Sequence, residues 1–240
     1  MSLPPVQDID AAISETWPAK DIQLIGNVAL RSGGGGQRAT AATVDGAISI
    51  EDIEAAEAAM LARGESLFRV RPGQSDLDQT LEARGYNLRD ATNILVCATN
   101  DIATQDLPPV SAFTIWPPLA IMDDIWNSND IGPARRAVME RCLCDKVGIF
   151  GRSSGQPAGV GFIAAFGSVA MVHAVAVQEA LRRQKTAENM MIAGAKWAQD
   201  IGAEWISALC TRHNLAANAL YTSLGMKVVG TYHYRAKKPG

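Results

Sequence analysis

The chain has 240 residues, 48% of them hydrophobic and 20% charged, enough to bury a sizeable core as one large or two small domains. A net charge of −3 and a pI near 5.6 exclude a general nucleic-acid binder, which needs a basic surface to offset phosphates. No apolar run reaches the roughly 18 residues of a membrane span, and the opening MSLPPVQDID lacks the basic and apolar regions of a secretory signal, so a cytoplasmic address with no membrane partner is expected.

In chain order, Ile22 to Leu30 and Arg38 to Val44 flank the run Ser32-Gly-Gly-Gly-Gly36 and read as a hairpin, followed by a helix over Glu51 to Ala62. The glycine run lacks the Gly-Lys-Ser/Thr ending of a nucleotide phosphate loop, which argues against a nucleotide-dependent enzyme. Asp101 to Pro118, with prolines paired at 108–109 and 117–118, has neither helix nor strand periodicity and marks a boundary between domains 1–105 and 112–240.

Beyond it, Pro118 to Trp126 and Pro133 to Cys144 are predicted helices, and Val147 to Arg152, Gly159 to Phe166 and Ala170 to Val177 an antiparallel meander. A helix over Thr186 to Ile201 stops at Gly202, Trp205 to Cys210 reads as a buried strand, Leu215 to Leu224 as a helix closing at Gly225, and Met226 to Tyr234 as a final strand. The order αα-βββ-α-β-α-β places the chain in the α/β class, with a mixed α+β sheet. Of the four cysteines, Cys97, Cys142, Cys144 and Cys210, only 142 and 144 are close, and no second pair stands at zinc-site spacing; buried free thiols and no metal site are expected.

A shift of 140 positions aligns Phe68-Arg-Val70 with Ala208-Leu-Cys210, Leu77 to Arg84 with Ala217 to Leu224, and Gly85-Tyr86 with Gly225-Met226, without a gap. The identities are few, and the pattern is a weak internal repeat. In that register Leu81 stands where Tyr221 stands, and no basic turn precedes the helix of the first copy.

Chemistry concentrates at residues 172–187, VHAVAVQEALRRQKTA: a strand, a turn loaded with donors and a helix start. A helix N-terminus offers unpaired N–H groups and partial positive charge, a natural seat for a pyrophosphate, to which Arg182, Arg183 and Lys185 add ionic donors. Taken alone, such a basic triplet is more often a solvated surface turn. Residues 181–240 hold nine Lys or Arg against three Asp or Glu, a distribution that suits a compact polyanionic ligand, although a solvated tail explains Lys237 and Lys238 equally.

Val175, Val177, Arg182 and Ala187 fall where the GNAT N-acetyltransferase superfamily has Val-x-Val followed by Gln/Arg-x-x-Gly-x-Gly/Ala, and Asn214-Leu-Ala-Ala217-Asn-Ala-Leu220-Tyr221 is similar to its Asn-x-x-Ala-x-x-Leu-Tyr helix. Trp197-Ala and Tyr232-His-Tyr-Arg235 are also similar to many members. The resemblance implies a GNAT-like fold, a predominantly antiparallel sheet with helices on both faces, here as two tandem units with a degenerate N-terminal copy. It implies acetyl-CoA as acyl donor, held by Val175, Ala176, Val177, Arg182, Arg183, Gln184, Lys185, Thr186, Ala187, Asn214, Ala217 and Tyr221. Lys185 departs from the pattern, standing at the first glycine, where a Cβ restricts the turn and the approach of phosphate.

The implied activity is direct transfer of an acetyl group to a primary amine of a small-molecule or peptide acceptor; the alternative is a non-catalytic acyl-CoA-binding or sensor module. By the same resemblance Tyr221 is the candidate acid for the departing thiolate, against a packing role beside Leu220 and Leu224. His173, Glu179 and water are the candidates for the general base.

Overall fold

The computed structural model describes residues 3–239. Helix α1 (Val6–Thr16) leads into a hairpin of β1 (Asp21–Ile25) and β2 (Val28–Ser32). Its turn is Gly26-Asn27, with Gly26 at φ 51, and not the glycine run. The run instead forms an extended loop ending in the short helix α2 (Gln37–Thr40), so Arg38 is helical, and only β3 (Thr43–Val44) pairs back onto β2. The predicted hairpin is therefore corrected: Gly-Asn makes the tight turn, and alternating apolar residues run through it on both sides.

Next come α3 (Ile50–Leu61), capped by Ser49 accepting from the Asp52 N–H, then β4 (Ser66–Val70), α4 (Ser75–Ala83), β5 (Asn87–Ala98) and α5 (Thr99–Ala103). The proline-rich segment contains the edge strand β6 (Ala112–Ile115), a second departure from the sequence reading, followed by α6 (Ala120–Ser128) and α7 (Pro133–Arg141). The meander follows as predicted: β7 (Asp145–Ser153), β8 (Gln156–Phe166) and β9 (Val169–Val177). The chain ends with α8 (Thr186–Asp200), β10 (Trp205–Thr211), α9 (Leu215–Ser223) and β11 (Lys227–Lys237).

Eight strands form one sheet in the order β4-β11-β5-β10-β9-β8-β7-β6. Every neighbouring pair is antiparallel except β9 and β10. The sheet ignores the division between residues 105 and 112: β5 lies between β10 and β11, and β11 lies between β5 and β4. Within the block β4-β11-β5-β10, exchanging β4 with β10 and β5 with β11 leaves the order unchanged read backwards, and α4 and α9 match at a shift of 140. Arg235 on β11 binds Asp78 on α4 at 2.6 Å and His233 binds the same oxygen at 2.7 Å, so the Tyr232-to-Arg235 ending clamps the two halves together.

Helices cover both faces. Met190, Met191 and Ala195 of α8 pack with Tyr221 and Leu224 near α9 on Ile149, Ile163 and Ala208, while α1, α6 and α7 cover Phe150, Phe162 and Val96 on the other side. The four cysteines are free thiols, and no helix among the described residues is long and apolar enough to cross a membrane.

Candidate functional site

A parallel strand pair cannot be joined by a hairpin, and here it is also not paired throughout. β9 and β10 are laddered from Val169↔Trp205 to Val172↔Ala208, and beyond that point His173–Val177 and Leu209–Thr211 part. At the parting β9 carries a bulge: its register with β8 jumps from Phe162↔His173 to Val160↔Ala176, and Ala174 sits at φ 51. The extra residue releases backbone groups from the ladder and bends the strand away from its neighbour. The Trp126 Nε1–H donates to the Ala174 carbonyl at 2.9 Å and holds the bulge in place.

Past β9 the chain makes a 3-10 turn over Glu179–Leu181 and enters α8. Arg183 and Lys185 both occupy the left-handed region, at φ 63 and 61. Ser153 donates to Gln184 Oε1 at 2.6 Å, Thr186 Oγ1 to the Leu181 carbonyl at 3.4 Å, and Arg182 Nε to the Val177 carbonyl at 3.3 Å, tying the turn to both flanking strands. The first backbone bond into the helix runs from Asn189 N–H to the Lys185 carbonyl at 2.9 Å, so the N–H groups of Thr186, Ala187 and Glu188 precede the helical ladder. Helix α8 rests directly on the sheet because Gly151 and Gly159 lack side chains: a Cβ at either would stand 2.7 Å from the Met190 sulfur.

At the head of the parting, the buried His173 has both ring nitrogens engaged. Arg38 Nη1 lies 2.9 Å from Nδ1 and Thr16 Oγ1 2.9 Å from Nε2, while Thr16 Oγ1 itself donates to the Ala12 carbonyl. Since a guanidinium only donates, Nδ1 accepts and Nε2 carries the proton. Burial and then the Arg38 charge hold the imidazole well below its usual pKa, so it is neutral.

Beside this network a cavity of about 340 Å³ opens against Ala174, Leu209 and Thr211, the residues where the two strands separate. Its other walls are Trp17, the 35–38 loop, Asp90, Thr92, Arg135, Tyr232 and Tyr234. The glycine run thus lines a cavity: Gly35 has φ 96, its carbonyl accepts from Trp17 Nε1 at 3.2 Å, and a Cβ there would collide with Val138.

Helix α9 backs the parting from the other side. Tyr221 is buried against Cys210 and Leu224, and burial, then the neighbouring Cys210, pushes its phenol pKa up while Arg38 opposes that shift. Asn214 caps α9, its Oδ1 accepting from Ala217 N–H at 3.1 Å. Asn218, which the sequence reading passed over, ties α9 to the Thr211 carbonyl at 2.9 Å and accepts from Asn93 of β5 at 2.9 Å.

The model of the acetyltransferase (GNAT) family matches residues 120–226, from the start of α6 to the end of the turn after α9. Residues 120–226 form a GNAT acetyltransferase domain. This GNAT domain contains the meander, the parting, the basic turn and α9, whereas β5 and β11, which complete its sheet, lie outside the matched span. No curated protein sequence matches the chain.

Among solved structures, a GCN5-related N-acetyltransferase from Kribbella flavida superposes with a TM-score of 0.74 at 17% identity, covering 100% of this chain and 97% of that one. A functionally unknown conserved protein from Staphylococcus epidermidis ATCC 12228 gives 0.70 at 10% identity, covering 93% and 96%. A tandem GNAT protein from the clavulanic acid biosynthesis pathway gives 0.61 at 15% identity, covering 89% and 78%. These likenesses show the fold, and each extends well beyond the GNAT span into the N-terminal half.

Within the GNAT domain, Val175, Ala176 and Val177 border the parting, and Arg182 to Ala187 form the turn and first residues of α8. Glu179 is exposed in the 3-10 turn, and His173 is sealed under Thr16 and Arg38; neither lines the cavity. Arg38, Asp90 and Trp126 are the residues that sequence reasoning missed. Their places depend on strands and loops far apart in the chain, and the only local signal was the glycine run next to Arg38.

Proposed function

We propose that this chain transfers an acetyl group from acetyl-CoA directly to the amine of a small-molecule or peptide acceptor. The observation that carries the reading is the parting of β9 from β10, with the left-handed basic turn at one end and the cavity at the other. The residues present fit the donor. Lys185 takes the backbone conformation that a loop glycine would take, so the turn keeps its shape, and three helix N–H groups with Arg182 and Arg183 face outward as a pyrophosphate seat. A non-catalytic module is suggested by Lys185 in place of glycine and by the degenerate N-terminal copy; the left-handed φ of Lys185 counts against the first of these grounds.

Acetyl-CoA supplies the acyl group as a thioester. The edge of β9 over Val175 to Val177 that faces away from β8 has no strand partner and can take an extended chain, and donors freed at the bulge lie where charge builds on a carbonyl oxygen. Tyr221, kept protonated by burial, donates its phenolic proton toward the departing sulfur. Asn214 and Ala217 set the first turn of α9, the helix that carries Tyr221. With both nitrogens engaged, His173 positions Arg38 rather than accepting a proton, and the amine's proton leaves to water in the cavity.

The same reading takes 1–105 and 112–240 as tandem GNAT-like units, supported by the shift of 140 that relates α4 to α9 and by Leu81, packed in the α3–α4 core, in the place of Tyr221. Thiol release from acetyl-CoA across an amine panel tests the activity. Absence of release with every amine, together with no rise in melting temperature at millimolar CoA, would overturn it.

A further inference from the structure

We infer that the acceptor is a small amine that also carries a carboxylate, an amino-acid-type zwitterion whose anionic end is read by Arg38 and whose ammonium faces Asp90. The inference rests on the transferase reading above. Arg31 and Arg141 take hydroxyl and carbonyl partners, but four part-buried arginines of this chain meet carboxylates: Arg69 and Arg71 bind Asp10, Arg84 binds Glu57, and Arg235 binds Asp78. Arg38 does not. Its neighbours are the neutral His173 and the phenols of Tyr232 and Tyr234, and its shielded Nε has no hydrogen-bond partner.

A part-buried guanidinium without a counter-charge is unfavourable unless something brings one, and Arg38 lines the cavity. Arg135, also on the cavity wall, spends one donor on the Asp130 carbonyl at 3.0 Å and adds a second positive charge on the same side as the 35–38 loop.

The opposite charge is placed separately. Asp90 lines the same cavity from β5, where the register with β11 jumps between Thr92↔Tyr232 and Arg89↔Tyr234 and Asp90 takes φ 48. Such a left-handed bulge residue re-aims its side chain out of the sheet. Thr92 pairs with Thr211, at the open end of β10, so Asp90 stands next to the parting where the acyl group is expected. A zwitterion held between Arg38 and Asp90 brings its nitrogen toward the donor. The ammonium first gives one proton to water; its freed nitrogen pair then bonds to the thioester carbon, the carbon–sulfur bond breaks, the thiolate takes the Tyr221 proton, and the nitrogen's second proton returns through water to the phenol. A volume of about 340 Å³ suits one amino-acid-sized molecule.

The test uses the full-length chain with acetyl-CoA and sets of matched acceptors: an α-amino acid, its carboxamide and the corresponding amine without the carboxyl group, read as thiol release. The acid is expected to exceed its amide and its simple amine by tenfold or more in kcat/KM for at least one set, the loss of a charge-assisted contact. In Arg38→Gln the acid and its amide should converge to within about threefold. Because Arg38 contacts His173, Arg135→Gln, at an exposed side chain, serves as the second variant and should narrow the preference without lowering the melting temperature.

Amides or simple amines that match or outrun the acids in every set would overturn the inference while leaving the transferase intact. A preference that survives in both variants would overturn the role of the arginines. No thiol release with any acceptor would remove the transferase reading itself.

Discussion

Lys185 stands at the one position where this chain departs from the glycine of the phosphate turn, and its replacement separates shape from charge. Its φ of 61 and ψ of 8 lie in the left-handed region, where a Cβ crowds the following carbonyl by roughly 1–2 kcal/mol. Glycine escapes that crowding but loses about 0.5–1 kcal/mol more backbone entropy on folding. The ion pair to Glu188, at 3.7 Å with the lysine side chain 76% exposed, offsets almost nothing. Lys185→Gly should therefore stabilise the chain by about 0.5–1 kcal/mol, a rise of roughly 1–4 °C in melting temperature. Lys185→Ala keeps the Cβ and should show no such rise. Because the turn already has the glycine conformation, KM for acetyl-CoA should stay within about threefold of wild type in both variants. The assays are thermal unfolding without ligand and initial rates at two salt concentrations. Equal stabilisation by alanine and glycine would refute the strain argument. A KM raised about tenfold in both variants at low salt, with a smaller rise at high salt, would show that the ammonium itself holds a phosphate.

Gly159→Ala puts a Cβ 2.7 Å from the Met190 sulfur and 3.0 Å from the Ala176 carbonyl oxygen, so α8 must shift; a loss of about 1–3 kcal/mol in stability and a raised KM for acetyl-CoA are expected, and neither would change if the helix seat were irrelevant. Tyr221→Phe should lower kcat by about 100-fold with KM for acetyl-CoA nearly unchanged, and an undiminished kcat would eliminate the phenol as the acid. His173 is neutral in the fold but gains a proton near pH 6.5 when unfolded, so stability should fall as pH drops below about 6.5, by at most about 1.4 kcal/mol per pH unit. Urea midpoints at two pH values should show a flatter dependence in His173→Gln than in wild type; identical slopes would contradict the assignment. Separated fragments 1–105 and 112–240 should each lack a cooperative transition, since β5 and β11 each sit between strands of the other half. A cooperatively folding 112–240 fragment that binds CoA would show that the shared sheet is dispensable.

The meander and the α8 and α9 helices were legible because their burial is local and periodic: β8 is apolar along most of its length, and α8 has small and apolar residues at helical spacing. The β1–β2 turn was misplaced because Ile22 and Leu24, 58% and 72% exposed, carry the same apolar alternation as the buried Val28 and Leu30. Alternation reports a strand but not which residues turn. Strand β6 was hidden by its flanking prolines, since its four residues are held by pairing to β7 rather than by propensity. In the site, Arg182, Lys185 and Tyr221 follow from motif spacing, whereas Arg38 reaches His173 across 135 positions and Asp90 projects from a bulge that no local pattern announces.

The strand exchange gives the N-terminal half a structural role although it has neither a basic turn nor a tyrosine at the position matching Tyr221. For β10 to part from β9, it needs another partner to satisfy its far edge, and β5 supplies one from Trp205↔Ala98 to Thr211↔Thr92, continuing past the point where the ladder to β9 ends. An N–H or carbonyl left unpaired at that depth would disfavour the open form. The same strand delivers Asp90 to the cavity, and the loop before α2 delivers Gly35 and Arg38 to its opposite wall. On the proposed reading, the donor cleft is thus encoded in one half, while the charges facing the acceptor come largely from the other. Changes in acceptor preference can accordingly accumulate in residues 33–38 and 90–92 without disturbing the turn or α9.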